Sequence, residues 1–410
     1  MNEAMPGGYM VVTVLPVAGG VLGLLLRFRP PVLNAWALGV VMADLLALAL
    51  SGGEGPGFAF MILSILAAAI TFLGQQPQKE IGRPTVFTLV SLGLGLGAMT
   101  GTGPVHVLCF AGVLAVVLVA TLLSHAERTR ARGGAVASGI GLLCLLAAAT
   151  LPGPASSVLL LAGSATALPL VPLHGAYLIA LSELPGTFPA FLAVLLPLVG
   201  LSFASSAIPS LPTGLNQGLQ GLALLSALYG SLKALVQFRM GEVISRASLA
   251  YLGLAWWYLA TLQGVQRPAM MFIAMVSLST GGLLLATAHI RLRSGHDLLD
   301  TLSGLAGPMP RLATLVVLLV MAAMGLPLFG LFSGLWAMLT AAIAVSRSQT
   351  CALLLIWLLA SWHYTVFMQK ALFGQVPASV PFRDLKWSET LALALVLMLL
   401  AAGGITEGLP

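Results

Sequence analysis

From Pro104 to Ser124 the chain runs for 21 residues without an Asp, Glu, Lys or Arg, and thirteen other stretches of comparable apolarity lie between about residues 9 and 406. A run of this length crosses the hydrocarbon of a bilayer, where only a helix or a closed barrel satisfies its own N–H and C=O groups. Charged residues make up 7% and hydrophobic ones 59% of the 410 residues, whereas soluble domains carry about a quarter charged residues. The sequence therefore predicts an all-α integral membrane protein with about 14 transmembrane helices. The first run, near 9–26, has no basic segment before it and is long enough to span, so it is read as a helix rather than a cleavable leader. No amphipathic arm is expected beyond the last run, near 388–406.

Basic residues test this count, because cytoplasmic loops collect Lys and Arg. Loops after odd-numbered runs hold fifteen of the 18 Lys and Arg, loops after even-numbered runs hold Arg267 and Arg347, and Lys233 lies inside a run. Both termini are therefore expected on the non-cytoplasmic side. The run at 311–346 is too long for one crossing and contains "GLPLFG", so it is read as a helix broken near Pro327 and Gly330. A second break is expected around Pro169 and Pro172. Three segments follow: an N-terminal four-helix segment (1–103), a core including the broken helix (104–346) and a C-terminal two-helix segment (347–410).

The net charge of +6 comes from scattered loop residues and not from a basic face with aromatics, so no nucleic-acid partner is expected. Cys109, Cys144 and Cys351 show neither CxxC nor Cys/His spacing, and are read as small packing residues with no metal site. No Ser/His/Asp set, paired catalytic carboxylates or haem pair is present. The Gly-rich "SLGLGLGAMTG" at 91–101 lacks the Lys and Ser/Thr of a phosphate loop and reads as a surface for close helix packing.

Several segments, in order, resemble one family. "PLVPLHG" (169–175) with Glu183 and Pro185 is one, and "SLKALVQFRMGEVISRASLAYLG" (231–253) a second. "GGLLLATAHIRLRSGHDLLDTLSGLAGPMPRLA" (281–313), "GLPLFGLFSGLW" (325–336) and "FMQKALFG" with "RDLKWSE" complete the set. Together they are similar to the antiporter-like proton-channel subunits of respiratory complex I, a superfamily shared with Mrp antiporters and energy-converting hydrogenases. The likeness covers roughly residues 104–406.

The resemblance implies an antiporter-like fold with broken helices in the membrane, in a complex coupled to proton translocation such as an NADH or other donor:quinone oxidoreductase or a hydrogenase relative. It implies no cofactor in this chain, with redox cofactors in partner subunits. Expected partners are other membrane subunits, a cytoplasmic redox or zinc-containing module, and the lipid of a bacterial cytoplasmic membrane. The family's axial Glu, Lys, Lys, His and Glu/Lys positions fall near Gly112, Ala167, Leu198, Val276 and Leu335, none of which carries a proton. Two alternatives stay open: the membrane component of a two-part ion or inorganic-carbon transporter, and a structural anchor for a cytoplasmic enzyme.

The remaining polar residues in or near the runs are candidates for a relay. Lys233 is either a relay or a cation snorkelling to the interface. Asp44 is the one acid well inside a run, and either transports or serves a structural or interface role. His174 is a relay or a histidine satisfied by the broken backbone, and Glu183 a relay or a helix cap. His363, and more weakly His289, are expected to contact a neighbouring helix. Arg293, Asp297 and Asp300 form a loop cluster, read as ion pairing or a docking surface.

Overall fold

The computed structural model describes residues 7–53, 55–76, 82–100, 103–124, 128–264, 266–374 and 383–408. Sixteen α-helices and no strand occur among them. They group into two compact units, Met1–Leu211 and Pro212–Pro410. That division falls inside the 104–346 stretch read from the sequence as one core segment.

The first unit contains α1 (Gly7–Gly23), α2 (Pro30–Leu50), α3 (Pro56–Gly74), α4 (Gly82–Thr100), α5 (Pro104–Leu123), α6 (Arg128–Thr150), α7 (Pro154–Ala167), α8 (Gly175–Glu183) and α9 (Phe188–Ala207). The starts of α3, α5 and α7 share one device. Gly55, Gly103 and Gly153 take positive φ angles that an L side chain would resist, and the following proline is pre-set for the first helical turn. Nearly the whole surface of α9 is buried, as expected of a helix that is apolar all round.

α1 and α4 approach closely because α4 is glycine-rich on one face. A Cβ added at Gly93 would stand 2.6 Å from the Thr13 carbonyl oxygen, and one at Gly97 would stand 2.8 Å from Cγ2 of Thr13. Gly93 and Gly97 thus serve helix packing.

The second unit contains α10 (Thr213–Leu235), α11 (Met240–Leu262), α12 (Arg267–Ser294), α13 (Pro310–Ala323), α14 (Gly330–Val345), α15 (Arg347–Leu372) and α16 (Trp387–Gly408). α11 and α12 are its buried helices. α10 lies on α11 through two reciprocal glycines: a Cβ on Gly230 would be 2.8 Å from the Ala250 nitrogen, and one on Gly253 would be 2.8 Å from the Ala227 nitrogen.

Sixteen helices exceed the fourteen apolar runs for two reasons. The 311–346 run is split into α13 and α14, and α8 is a nine-residue helix in a stretch too short and too interrupted to be counted as a run. Among the described residues, eight helices meet the length and apolarity needed to cross a membrane.

Candidate functional site

Among the described residues each unit contains an interrupted helix, and in both cases glycine on a neighbouring helix makes room for the backbone of the break. In the first unit α7 stops at Ala167, and Pro169 and Pro172 lie in the turn before α8, with a cis bond between Val171 and Pro172. The Leu168 nitrogen still donates to the Ser164 carbonyl at 2.8 Å, and the Leu170 nitrogen to the Ala165 carbonyl at 3.1 Å. A Cβ at Gly200 of α9 would come within 2.7 Å of the Leu168 nitrogen.

In the second unit α13 stops at Ala323 and α14 begins at Gly330, with Pro327 between them. Two side chains cap the carbonyls that the break leaves open. The Tyr251 hydroxyl of α11 donates to the Ala323 carbonyl at 2.8 Å, and Nε1 of Trp357 on α15 donates to the Met324 carbonyl at 2.9 Å. Gly404 of α16 lies against the Leu328 carbonyl so closely that no Cβ fits. A break at membrane depth is tolerated where protein re-satisfies its polar groups, and these contacts do so.

The positions read as axial are apolar and packed. Ala167, Leu198, Val276 and Leu335 are each fully buried. Leu335 fills the inside of the second break, where its Cδ1 would stand 2.7 Å from a Cβ on Gly325. Gly112 on α5 faces Leu94 of α4, and a Cβ on that glycine would stand 3.1 Å from the leucine's Cδ1.

The sequence-derived candidates do not converge. Lys233 sits in the last turn of α10 on its exposed face, and its carbonyl accepts from Nε2 of Gln237 at 2.9 Å. His174 occupies the N-cap position of α8 and Glu183 is the last residue of the same helix; both are half-buried. Thr187, not Glu183, stands at the N-cap of α9. Asp44 is buried in α2 with no hydrogen-bond partner among the described residues. His363 is buried on α15, and neither ring nitrogen has a hydrogen-bond partner among the described residues. No group of three or more His, Cys, Asp or Glu gathers among the described residues.

Charged residues instead meet at one end of the second unit. Glu389, fully buried, accepts from Nη2 of Arg293 at 2.6 Å and from the Lys386 nitrogen at 2.8 Å, and its other oxygen lies 3.4 Å from Nδ1 of His289. Glu389 is thus the third helical residue of α16 reaching back to the N-cap amide, half of a capping box, and at the same time a counterion for α12. Asp384 caps α13 from outside, accepting from the amides of Arg311 at 2.9 Å and Leu312 at 3.3 Å. Sequence reasoning misses Glu389, whose one signal is the Lys-x-x-Glu spacing at a helix start.

The loop cluster read from sequence separates into three pairings. Arg293 goes to Glu389, Asp300 to Lys370 at 3.0 Å, and Asp297 to both Arg239 and Arg291. The same loop is tied down by main-chain bonds from the Met240 nitrogen to the Asp297 carbonyl at 2.9 Å and from the Leu299 nitrogen to the Phe238 carbonyl at 2.8 Å.

Burial alone would raise the Asp297 carboxyl, but the guanidiniums of Arg291 and Arg239 outweigh it and hold the group below its ordinary 3.8. A depressed carboxylate contributes stability above its unfolded value and loses it as the pH falls through the folded one. Exchange of the Met240 and Leu299 amides, corrected for intrinsic rates, is therefore expected to accelerate as the pH drops below 3.8. Asp297→Asn should give a similar acceleration at neutral pH.

Two broken helices, with a polar seam at one end of the second unit, suit an antiporter-like membrane subunit. The chain belongs to the NADH:quinone oxidoreductase/Mrp antiporter transmembrane family, whose pattern matches residues 147–360. It is 32% identical over 221 residues to NADH-quinone oxidoreductase subunit 13 of Thermus thermophilus, covering 51% of this chain and 46% of that one. It is 29% identical over 256 residues to F(420)H(2) dehydrogenase subunit M of Methanosarcina mazei, covering 60% and 51%. The chain thus spans about half the length of the curated relatives it matches.

Two solved structures show the same fold. A chain of respiratory complex I from Thermus thermophilus with bound NADH superposes with a TM-score of 0.80 at 22% identity, over 98% of this chain and 96% of that one. A chain of the membrane-bound sulfane sulfur reductase, an archaeal respiratory membrane complex, gives 0.83 at 17% identity, over 96% and 75%.

Proposed function

We propose that this integral membrane protein is a scaffold subunit of a complex I-like assembly, one that fills a place in the membrane arm without conducting protons along its own axis. The observation that carries this reading is the burial of Ala167, Leu198, Val276 and Leu335. A proton crosses hydrocarbon only where ionisable side chains and trapped water hand it on, and buried charges need compensation. Buried aliphatic side chains supply neither. The exposed position of Lys233 supports a cation reaching for headgroups over an internal relay.

In this reading the end of the second unit bearing Arg239, Arg291, Arg293, Arg311 and Lys370 faces the cytoplasm, in keeping with the excess of basic residues there, and both termini face away. Redox cofactors and the quinone site belong to other subunits, and the membrane is a bacterial cytoplasmic membrane.

The test is translocation by the intact assembly in vesicles. Lys233→Ala and His363→Leu are expected to leave the protons moved per electron unchanged. A fall in that ratio with electron transfer intact would overturn the scaffold reading. Recovery of the chain with one large zinc protein, in place of quinone-site and iron–sulfur subunits, would favour the transporter instead.

A further inference from the structure

Asp44 lies in α2 about 20 Å along the helix from its Pro30 end, at 1.5 Å per residue, and is fully buried. Neither carboxyl oxygen has a hydrogen-bond partner among the described residues. The elements packed most extensively against α2 are α1, α3, α4 and the 3-10 turn at Leu24–Leu26. The α1 sequence contains Tyr9 and no charged residue, while α3 and the 3-10 turn contain no titratable group at all. α4 contributes Arg83 alone, exposed in its first turn. Arg27 and Arg29 are exposed before the start of α2. Among the described residues of these elements, no cation therefore reaches Asp44.

An ionised carboxylate in such a place is far more costly than a neutral acid. A neutral acid, however, has an O–H to satisfy, and its acceptor can be found from helix register. α1 and α2 run antiparallel: a Cβ on Gly23 would meet Leu33 at 3.1 Å, Nε1 of Trp36 donates to the Gly19 carbonyl at 3.0 Å, and a Cβ on Gly19 would meet Val40 at 2.8 Å. Leu33, Ala37, Val40 and Asp44 share the buried face of α2. One turn beyond the Gly19–Val40 contact, Asp44 comes level with the stretch of α1 that contains Pro16.

Pro16 is inside α1 and has no N–H, so the Val12 carbonyl four residues earlier lacks its helical donor. Val12 is itself fully buried, out of reach of water. A helical carbonyl points along the axis toward the following turn, so that of Val12 is directed toward the level of Pro16. A buried acid that needs an acceptor for its proton thus lies on the helix facing the carbonyl that Pro16 deprives of its usual N–H.

We propose that Asp44 is a proton-binding site, occupied at neutral pH, whose proton is given in a hydrogen bond to the Val12 carbonyl that Pro16 leaves open. The proton is a structural ligand of the α1–α2 pair. This assignment is independent of whether the subunit conducts along its axis.

Infrared spectroscopy of the full chain in lipid vesicles reads the protonation state. At neutral pH the C=O stretch of a neutral carboxylic acid, above the amide I band, is expected in the unsubstituted protein and should shift down in D2O. It is expected to vanish in Asp44→Asn, which keeps a donor of the same shape. Absence of any such difference would show an ionised Asp44 and overturn the site.

The partner is read from a stability cycle. Asp44→Leu is expected to lower the folded-to-unfolded ratio about tenfold or more, in line with an unpaired buried carbonyl. In a Pro16→Ala background, where the backbone regains the N–H that closes the helical bond to Val12, that loss should shrink to within a few-fold. An undiminished loss would overturn the Val12 assignment. If Asp44→Leu does not fold, Asp44→Asn and Asp44→Ala replace it in the same cycle, with Asn expected to be close to the unsubstituted protein and Ala well below it.

Discussion

Replacing Glu389 with Ala is expected to cost about 3–5 kcal/mol, the range for removing one partner of a buried ion pair. Three groups lose their acceptor at once. Arg293, whose side chain is 10% exposed, is left without a counterion, the Lys386 amide loses the capping carboxylate, and His289 loses its neighbour. Glu389→Gln keeps an oxygen for the Lys386 amide and a similar volume, so its loss should be smaller. The ordering Ala below Gln below the unsubstituted protein, measured as the midpoint of thermal unfolding in lipid or mild detergent, checks this. Equal midpoints for all three would mean that the cluster does not hold α12 to α16.

The second large effect concerns Gly404 and its neighbour. A Cβ at Gly404 would collide with the Leu328 carbonyl and the backbone of Phe329, which cannot move without disturbing the broken helix. A Cβ at Gly403 would instead meet the sulfur and terminal methyl of Met275, the adaptable end of an unbranched side chain. Gly404→Ala is therefore expected to destabilise by about 2–3 kcal/mol, within the range for overpacking, and Gly403→Ala by about 1 kcal/mol or less. Comparable losses at the two positions, read from the same unfolding midpoints, would contradict the geometry of this contact.

Much of the fold is legible in the sequence because lipid imposes a strict requirement on backbone polar groups. Runs such as 104–124 and 187–206 have little choice but to be helices. The Gly-Leu-Pro sequence at 325–327 announces the second break, since proline can neither donate nor accommodate the preceding turn. α8 escapes notice because nine residues between two proline-bearing loops carry too few periods to stand out from the surrounding apolarity.

The candidate site is less legible. Residue type marks Asp44 and Lys233 as unusual, but burial separates them: one is enclosed and the other exposed, and uniform hydrophobicity offers no periodicity from which to tell the faces apart. Glu389 attracts no attention in the sequence because a carboxylate at a helix start has an ordinary explanation. Only the approach of Arg293, 96 positions earlier in the chain, gives it a second role. Tyr251 and Trp357 likewise gain meaning only once the carbonyls of Ala323 and Met324 are seen to need them.

The glycine face of α4 bears on the order in which the protein can be made. α1 leaves the ribosome well before α4, yet the surface it fits is the one around Gly93 and Gly97, which would admit no larger residue beside Thr13 and Val17. α2 and α3 are both inserted before that surface exists. α1 must therefore wait in the bilayer, partly uncovered, until α4 arrives. During that interval an insertion factor or a chaperone of membrane proteins has a defined face to hold, and a substitution that enlarges Gly93 should trap the nascent chain at this stage and not in the finished fold.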